Sequence, residues 1–263
     1  MKFRFQRKHL SIPYLLFFMF FIITPLLLIL FYAFTDKATG ALSFNNLIAF
    51  VSDKTNIDVL VISLVFAFGN TLICLLIGYP IAYILARLVK NKVLVLLFII
   101  PMWINFVIRT GATRDLLTWI GIGGGTHPEL ATMIGLVYNY LPFVILPLHS
   151  TMVKMDTSQI EASYDLGANG VQTFTKVILP MTMPGIVSAA TMVFMPTLSS
   201  YVISDLLSEY NIVLFGSYID LYFNQANWNF GSFMALIMLL LIFISVLITR
   251  KFSKEESSRT SLW

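Results

Sequence analysis

The chain is built from long runs in which polar residues are nearly absent. Six of them, Ile12–Phe34, Val59–Ala86, Val93–Ala112, Ala131–Val153, Met183–Ser204 and Asn229–Thr249, reach the roughly 20 residues that an α-helix needs to cross a bilayer. Arg109 sits near the outer end of the third, and Pro196 predicts a kink in the fifth. The first run follows Lys2, Arg4, Arg7 and Lys8, as the apolar part of a signal peptide would. It is 23 residues long, however, with no small-x-small cleavage site after it, so the expectation is a retained anchor helix.

Composition agrees with the pattern. Hydrophobic residues make up 58% of the 263 and charged residues only 11%, less than half of the roughly 25% in a soluble domain. Too little charge is available to coat a water-soluble globule, which excludes a soluble enzyme. The net charge of +4 matters less than where the charges sit. With the N-terminus in the cytoplasm, the inner segments hold Lys2, Arg4, Arg7, Lys8, Arg87, Lys90, Lys92, Lys154, Lys176, Arg250, Lys251, Lys254 and Arg259. That is 13 of the 17 basic residues, and the positive-inside bias then places both termini on the cytoplasmic side of six spans. The outer side keeps Lys37, Lys54, Arg114 and the membrane-edge Arg109, together with eight acids including Asp205, Glu209 and Asp220.

No carboxylate lies within the six runs, so the buried acid relay of a proton-coupled carrier is missing. His9, His127 and His149 are scattered and Cys74 is alone, which leaves no metal site and no intrachain disulfide. The glycines of Gly121–Gly125 precede no Lys-Ser/Thr and read as a flexible outer loop rather than a phosphate cradle. No phosphate-binding loop occurs anywhere, so any ATP hydrolysis belongs to another chain. The basic tail from Arg250 to Arg259 reads as an anchor to lipid headgroups, not as a nucleic-acid patch.

The inner loop 154–182 is the one long cytoplasmic connection. Ser158 with Glu161 predicts a capping box at the start of a two-turn helix that Gly167 ends. Asn169 with Gln172 predicts a second short helix, closed by Pro180. So short a helix is marginal alone and needs something to dock against.

Glu161-Ala162-Ser163, three residues, Gly167, nine residues and then Val177-Ile178-Leu179-Pro180 resembles the E-A-A-x3-G-x9-I-x-L-P loop of ABC importer permeases. Ser163 replaces the second Ala of that pattern and Val177 its Ile. The resemblance implies an all-α integral membrane protein of six helices with the type I, MetI-like importer fold. It divides the chain into an N-terminal segment 1–58, a five-helix core 59–249 carrying the loop, and a tail 250–263. It also implies that Glu161, Ala162, Ser163, Asp165, Gly167, Leu179 and Pro180 couple to an ATPase. Pro101-Met102-Trp103 with Asn105 and Ile108-Arg109, and Tyr201-Val202-Ile203-Ser204-Asp205, are similar to segments of spermidine/putrescine permeases of the PotB type.

The implied function is one permease subunit of a polyamine importer. Its implied partners are a second, PotC-like permease, a PotA-like ATPase dimer that uses ATP and magnesium, a PotD-like extracytoplasmic binding protein, and membrane lipid. No nucleic acid and no cofactor bound by this chain are expected. Trp103, Asn105, Tyr201 and Asp205 are the candidate pathway residues, because a carboxylate beside aromatic rings suits an alkyl ammonium through ion pairing and cation–π contact. Trp103 also fits an interfacial anchor, and Asp205 the ordinary charge bias of an outer loop. Arg109 would repel a polycation and is expected to pair with an acid or a phosphate headgroup. The alternatives are the same machine with another cargo, such as iron, thiamine, sulfate or phosphonate, and a carrier that works alone.

Overall fold

The computed structural model describes residues 11–37, 39–88 and 92–260. Lys2, Arg4, Arg7, Lys8, His9 and Lys90 lie outside them. Among the described residues the chain is helical apart from turns and one isolated bridge between Thr35 and Leu42. The helices are α1 (Pro13–Ala33), α2 (Asn45–Ser52), α3 (Lys54–Leu88), α4 (Val93–Trp103), α5 (Phe106–Trp119), α6 (Pro128–Lys154), α7 (Ser158–Asp165), α8 (Gly170–Leu198), α9 (Val202–Leu207), α10 (Phe215–Asn224) and α11 (Trp228–Thr260). Five of them, α1, α3, α6, α8 and the Trp228–Thr249 part of α11, are long and apolar enough to cross a bilayer singly.

The third expected span is not one straight helix. It is α4 followed by α5, with a 96° bend between them. Two local features cause the break. Pro101 sits in a tight 3-10 turn over Ile100–Trp103, and the Asn105 side chain caps α5 by accepting from the Val107 amide at 2.9 Å. The fifth span also departs from expectation. It ends at Leu198, Ser199–Tyr201 form a break, and Val202–Ser204 belong to the separate α9.

The chain folds as two compact units. One comprises the residues up to Ile57 with Tyr218–Leu240, and the other Asp58–Ser217 with Leu241 onward. In the first, Asn229 Nδ2 donates to the Thr35 carbonyl at 2.8 Å and to Thr35 Oγ1 at 3.0 Å, tying the start of α11 to the end of α1. Phe34 and Phe50 both pack on the Phe233 ring.

In the second unit the core lies where α3, α6 and α8 meet, around Cys74, Ala82, Val144, Leu148, Ala189 and Val193. Lipid offers no hydrophobic drive for helices to associate, so close backbone approach and buried hydrogen bonds have to hold them. Gly78 supplies such an approach: a Cβ there would stand 2.7 Å from Val144. Gly185 faces Thr151 in the same way, also at 2.7 Å, and Gly135 faces Leu207. Asn70 Nδ2 donates to Thr197 Oγ1 at 2.7 Å, a buried bond from α3 to α8. A second cluster joins Phe66, Leu117, Leu136, Ile203 and Leu207 from α3, α5, α6 and α9.

The glycine run after α5 is not slack. Ile122 N donates to Leu117 O at 2.8 Å, Asn211 Nδ2 donates to Gly124 O at 3.2 Å, and a side chain at Gly124 would strike the backbone at Leu207 and Ser208. The glycines allow this turn to lie directly on the end of α9.

Candidate functional site

The loop between α6 and α8 is a built surface. Its first helix, α7, is started by Asp156 rather than by Ser158. The Asp156 carboxylate accepts from the Ser158 amide at 3.0 Å and the Ser158 hydroxyl at 2.8 Å, so the expected Ser158–Glu161 box is replaced by an Asx turn from two residues upstream. Those two bonds stabilise the charged form and hold the exposed Asp156 carboxyl below its ordinary value. Glu161 occupies the first turn of α7, where the helix dipole favours an acid.

At the far end Gly167 adopts φ +81°. Gly167 N donates to Tyr164 O at 2.9 Å and Ala168 N to Ser163 O at 3.0 Å, the paired bonds of a Schellman cap. Asn169 and Gln172 then form the expected capping box, at 2.9 and 3.0 Å. Pro180 does not close the helix that this box opens. α8 continues through one π-helical stretch, Phe174–Ile178, and Pro180 lies two residues beyond that stretch, inside the continuous helix, where its ring and missing N–H adjoin the altered register.

Ser163 is buried, and its hydroxyl donates to Ile160 O at 2.7 Å while lying 2.9 Å from Thr173 Oγ1. Glu161, Ala162 and Asp165 are exposed, Leu179 is half-buried and Pro180 exposed. Tyr164, Leu166 and Val171 join them on the surface, with Leu166 89% exposed. An apolar side chain so open beside two acids was not singled out in the sequence, although its place directly before Gly167 is where a C-cap residue projects.

Two contacts suspend this loop from the core. Tyr79 on α3 meets Thr182 by hydroxyl contact at 2.9 Å and packs edge-on against the Phe174 ring. Arg87 Nη2 donates to Met155 O at 2.8 Å, at the end of α6.

A second candidate region lies where the broken third and fifth spans adjoin. A cavity of about 370 Å³ opens there, lined by Met102, Arg109, Asn139, Tyr140, Ser199 and Tyr201 among others. Tyr140 Oη donates to Pro196 O at 3.2 Å, so its ring is held in the wall. Of the four expected pathway residues, Tyr201 lines this cavity. Trp103 is 80% exposed and stands outside the lining, Asn105 is engaged as the α5 cap, and Asp205 Oδ1 accepts from Ser217 Oγ at 2.7 Å. Tyr201 and Asp205 are linked through the backbone, since Asp205 N donates to Tyr201 O at 2.9 Å.

Arg109 is the largest departure from expectation. It is only 8% exposed and, among the described residues, forms no ion pair with an acid. Nε and Nη2 both donate to Asn139 Oδ1, at 3.1 and 2.6 Å, and Nη1 donates to Pro101 O at 2.6 Å. Its Cζ lies 5.3 Å from the centre of the Tyr138 ring. Pro101 O lies at the helix break and also accepts from Ile104 N at 3.3 Å, and irregular backbone at membrane depth is tolerated where protein satisfies it.

No family model matches the chain. Solved structures do. A chain of a bacterial ABC transporter that imports alginate superposes with a TM-score of 0.68 at 16% identity, covering 94% of each chain. A chain of the MetNI methionine ABC transporter gives 0.57 at 19% identity, covering 78% of this chain and 99% of that one. Fold and loop together define the class: a multi-pass permease of ABC importers, with the MetI-like architecture. Within it, the spermidine/putrescine transport system permease PotB of Salmonella typhimurium is 34% identical over 226 residues, 80% of this chain and 79% of the relative. The chain belongs to the PotB family of permeases.

Proposed function

We propose that this chain is the PotB-like half of a polyamine importer and carries spermidine or putrescine inward across the bacterial plasma membrane. The observation that carries this reading is the 34% identity to a spermidine/putrescine permease over four-fifths of the chain. A second, PotC-like permease completes the path, and a PotD-like protein delivers the cargo from outside. Both termini and α7 face the cytoplasm, a placement the distribution of basic residues supports. There the exposed face of α7, with Glu161, Asp165 and Leu166, docks on a PotA-like ATPase dimer. That dimer binds ATP and magnesium, and its closure is passed to the spans through α7 and α8.

The cavity beside Tyr140 and Tyr201 is this chain's share of the pathway. Tyrosine rings and hydroxyls suit an alkyl ammonium while binding it weakly enough for release. Uptake of radiolabelled spermidine and putrescine by cells with and without the gene tests the proposal. Equal uptake of both cargoes in the two strains overturns it.

A further inference from the structure

The cavity that serves as pathway has a cation fixed in its own wall. Arg109 is held from two directions, by Asn139 on α6 and by Pro101 O at the end of α4. Asn139 is itself fixed, since its Nδ2 donates to Gly135 O at 2.8 Å and to Thr110 Oγ1 at 3.3 Å. A guanidinium carries five N–H donors, and these three bonds use three of them. Every partner is a neutral carbonyl oxygen. Among the described residues the ion pair present is Arg114–Asp115, and no carboxylate neutralises Arg109. The positive charge at this point of the wall is therefore whole. A charge held in place beside a largely apolar cavity acts on an ion there more strongly than it would across bulk water.

Resting on the pathway reading above, we propose that Arg109 is an electrostatic barrier that keeps inorganic cations from leaking through the permease. A monovalent metal ion has to bring its entire charge past the guanidinium, with few ligands in the cavity to replace its water. A polyamine differs in charge distribution. Its ammonium groups are separated by methylenes, so it can place hydrocarbon opposite Arg109 and its charges near the Tyr140 and Tyr201 hydroxyls. The same residue then serves two purposes at the helix break: it gives Pro101 O a second donor, and it sorts extended cations from compact ones.

The test uses the assembled importer in liposomes, with passive potassium efflux read in the absence of ATP. Arg109→Gln removes the charge and keeps a donor toward Asn139. Asn139→Asp keeps the arginine and neutralises it with an oxygen in the same place. Arg109→Lys keeps the charge but loses the two-armed grip. Both neutralising variants should raise the leak by roughly ten-fold or more, and Arg109→Lys should stay at the wild-type level. If neither neutralising variant leaks, or if Arg109→Lys leaks as they do, the barrier is not electrostatic and the inference falls. The pathway reading has its own control. A bulky maleimide attached to Tyr201→Cys in a Cys74→Ala background should block uptake in the folded complex. Undiminished uptake there overturns the pathway reading, whatever the Arg109 variants do.

Discussion

The Ser163 and Thr173 hydroxyls are 2.9 Å apart and buried, one on α7 and the other in the first turn of α8. This contact ties the two halves of the loop between α6 and α8 together across the Gly167 turn, and it depends on serine standing where the family pattern has alanine. Ser163→Ala and Thr173→Val should each destabilise the loop by about 1 kcal/mol, and the double variant by less than the sum of the two. Thermal unfolding of the purified complex, run as a double-mutant cycle, measures the coupling. Strict additivity would show that the hydroxyls do not interact.

Gly167 at φ +81° has open space around it, so a substitution there meets no neighbour. The cost is in the backbone. Gly167→Val should strain the turn by about 1–2 kcal/mol or more and redirect the start of α8. The expected result is a complex that assembles normally but hydrolyses ATP without uptake. Normal substrate-stimulated hydrolysis with normal uptake would remove this turn from the coupling step.

Asp156 gives the loop a pH dependence of known sign. Its folded-state carboxyl is held below the ordinary value of 3.8, so its contribution is complete above that value and fades as pH falls through the lowered one. Hydrogen exchange at the α7 amides should be unchanged between pH 7 and 5, after correction for intrinsic rates, and should lose protection only at stronger acidity. Asp156→Asn should shift that loss away. Protection that titrates near neutrality would place its origin elsewhere.

Cys74 is buried and free, so Cys74→Ala gives a background for topology mapping. Single cysteines at Asp220 and Lys176 should differ on intact cells, position 220 reacting with an impermeant maleimide and position 176 not. Labelling at 176 from outside would reverse the proposed orientation.

Asp205 and Trp103 can be tested without disturbing the fold. Asp205→Asn retains an oxygen to accept from Ser217, and Trp103 is largely exposed. Each of Asp205→Asn and Trp103→Leu should reduce polyamine uptake while assembly is preserved. An exposed ion pair contributes at most about 1 kcal/mol, so a defect well beyond five-fold at Asp205 would mark a desolvated carboxylate. Unchanged kinetics in both variants would remove the two residues from the pathway.

Much of this was legible in the sequence, because length and apolarity fix a membrane helix and φ > 0 selects glycine. The helical spans, the Gly167 cap and the Asn169–Gln172 box rest on such local rules. What escaped was decided by competition. Pro101 and Asn105 both signal a stop and a start, yet the apolar run around them hid the 96° bend. Asp156 outcompetes Ser158 because a carboxylate two residues upstream reaches both the amide and the hydroxyl. Pro180 looked terminal, but it falls where the preceding π stretch has already altered the hydrogen-bond register. The carbonyl partners of Arg109 come from the broken backbone of α4 and from α6, a tertiary arrangement with no trace in local spacing.

The unbroken run of α8 has a mechanical meaning. It begins at the Asn169 cap in the loop and ends at Leu198 beside Ser199 in the cavity wall, and the Tyr79 hydroxyl grips it part-way along, at Thr182. At 1.5 Å of rise per residue the portions on either side of that grip are about 18 Å and about 24 Å long. A single element therefore joins the loop to the cavity wall, and on the proposed assembly a displacement imposed at its cytoplasmic end has a continuous backbone route to Ser199.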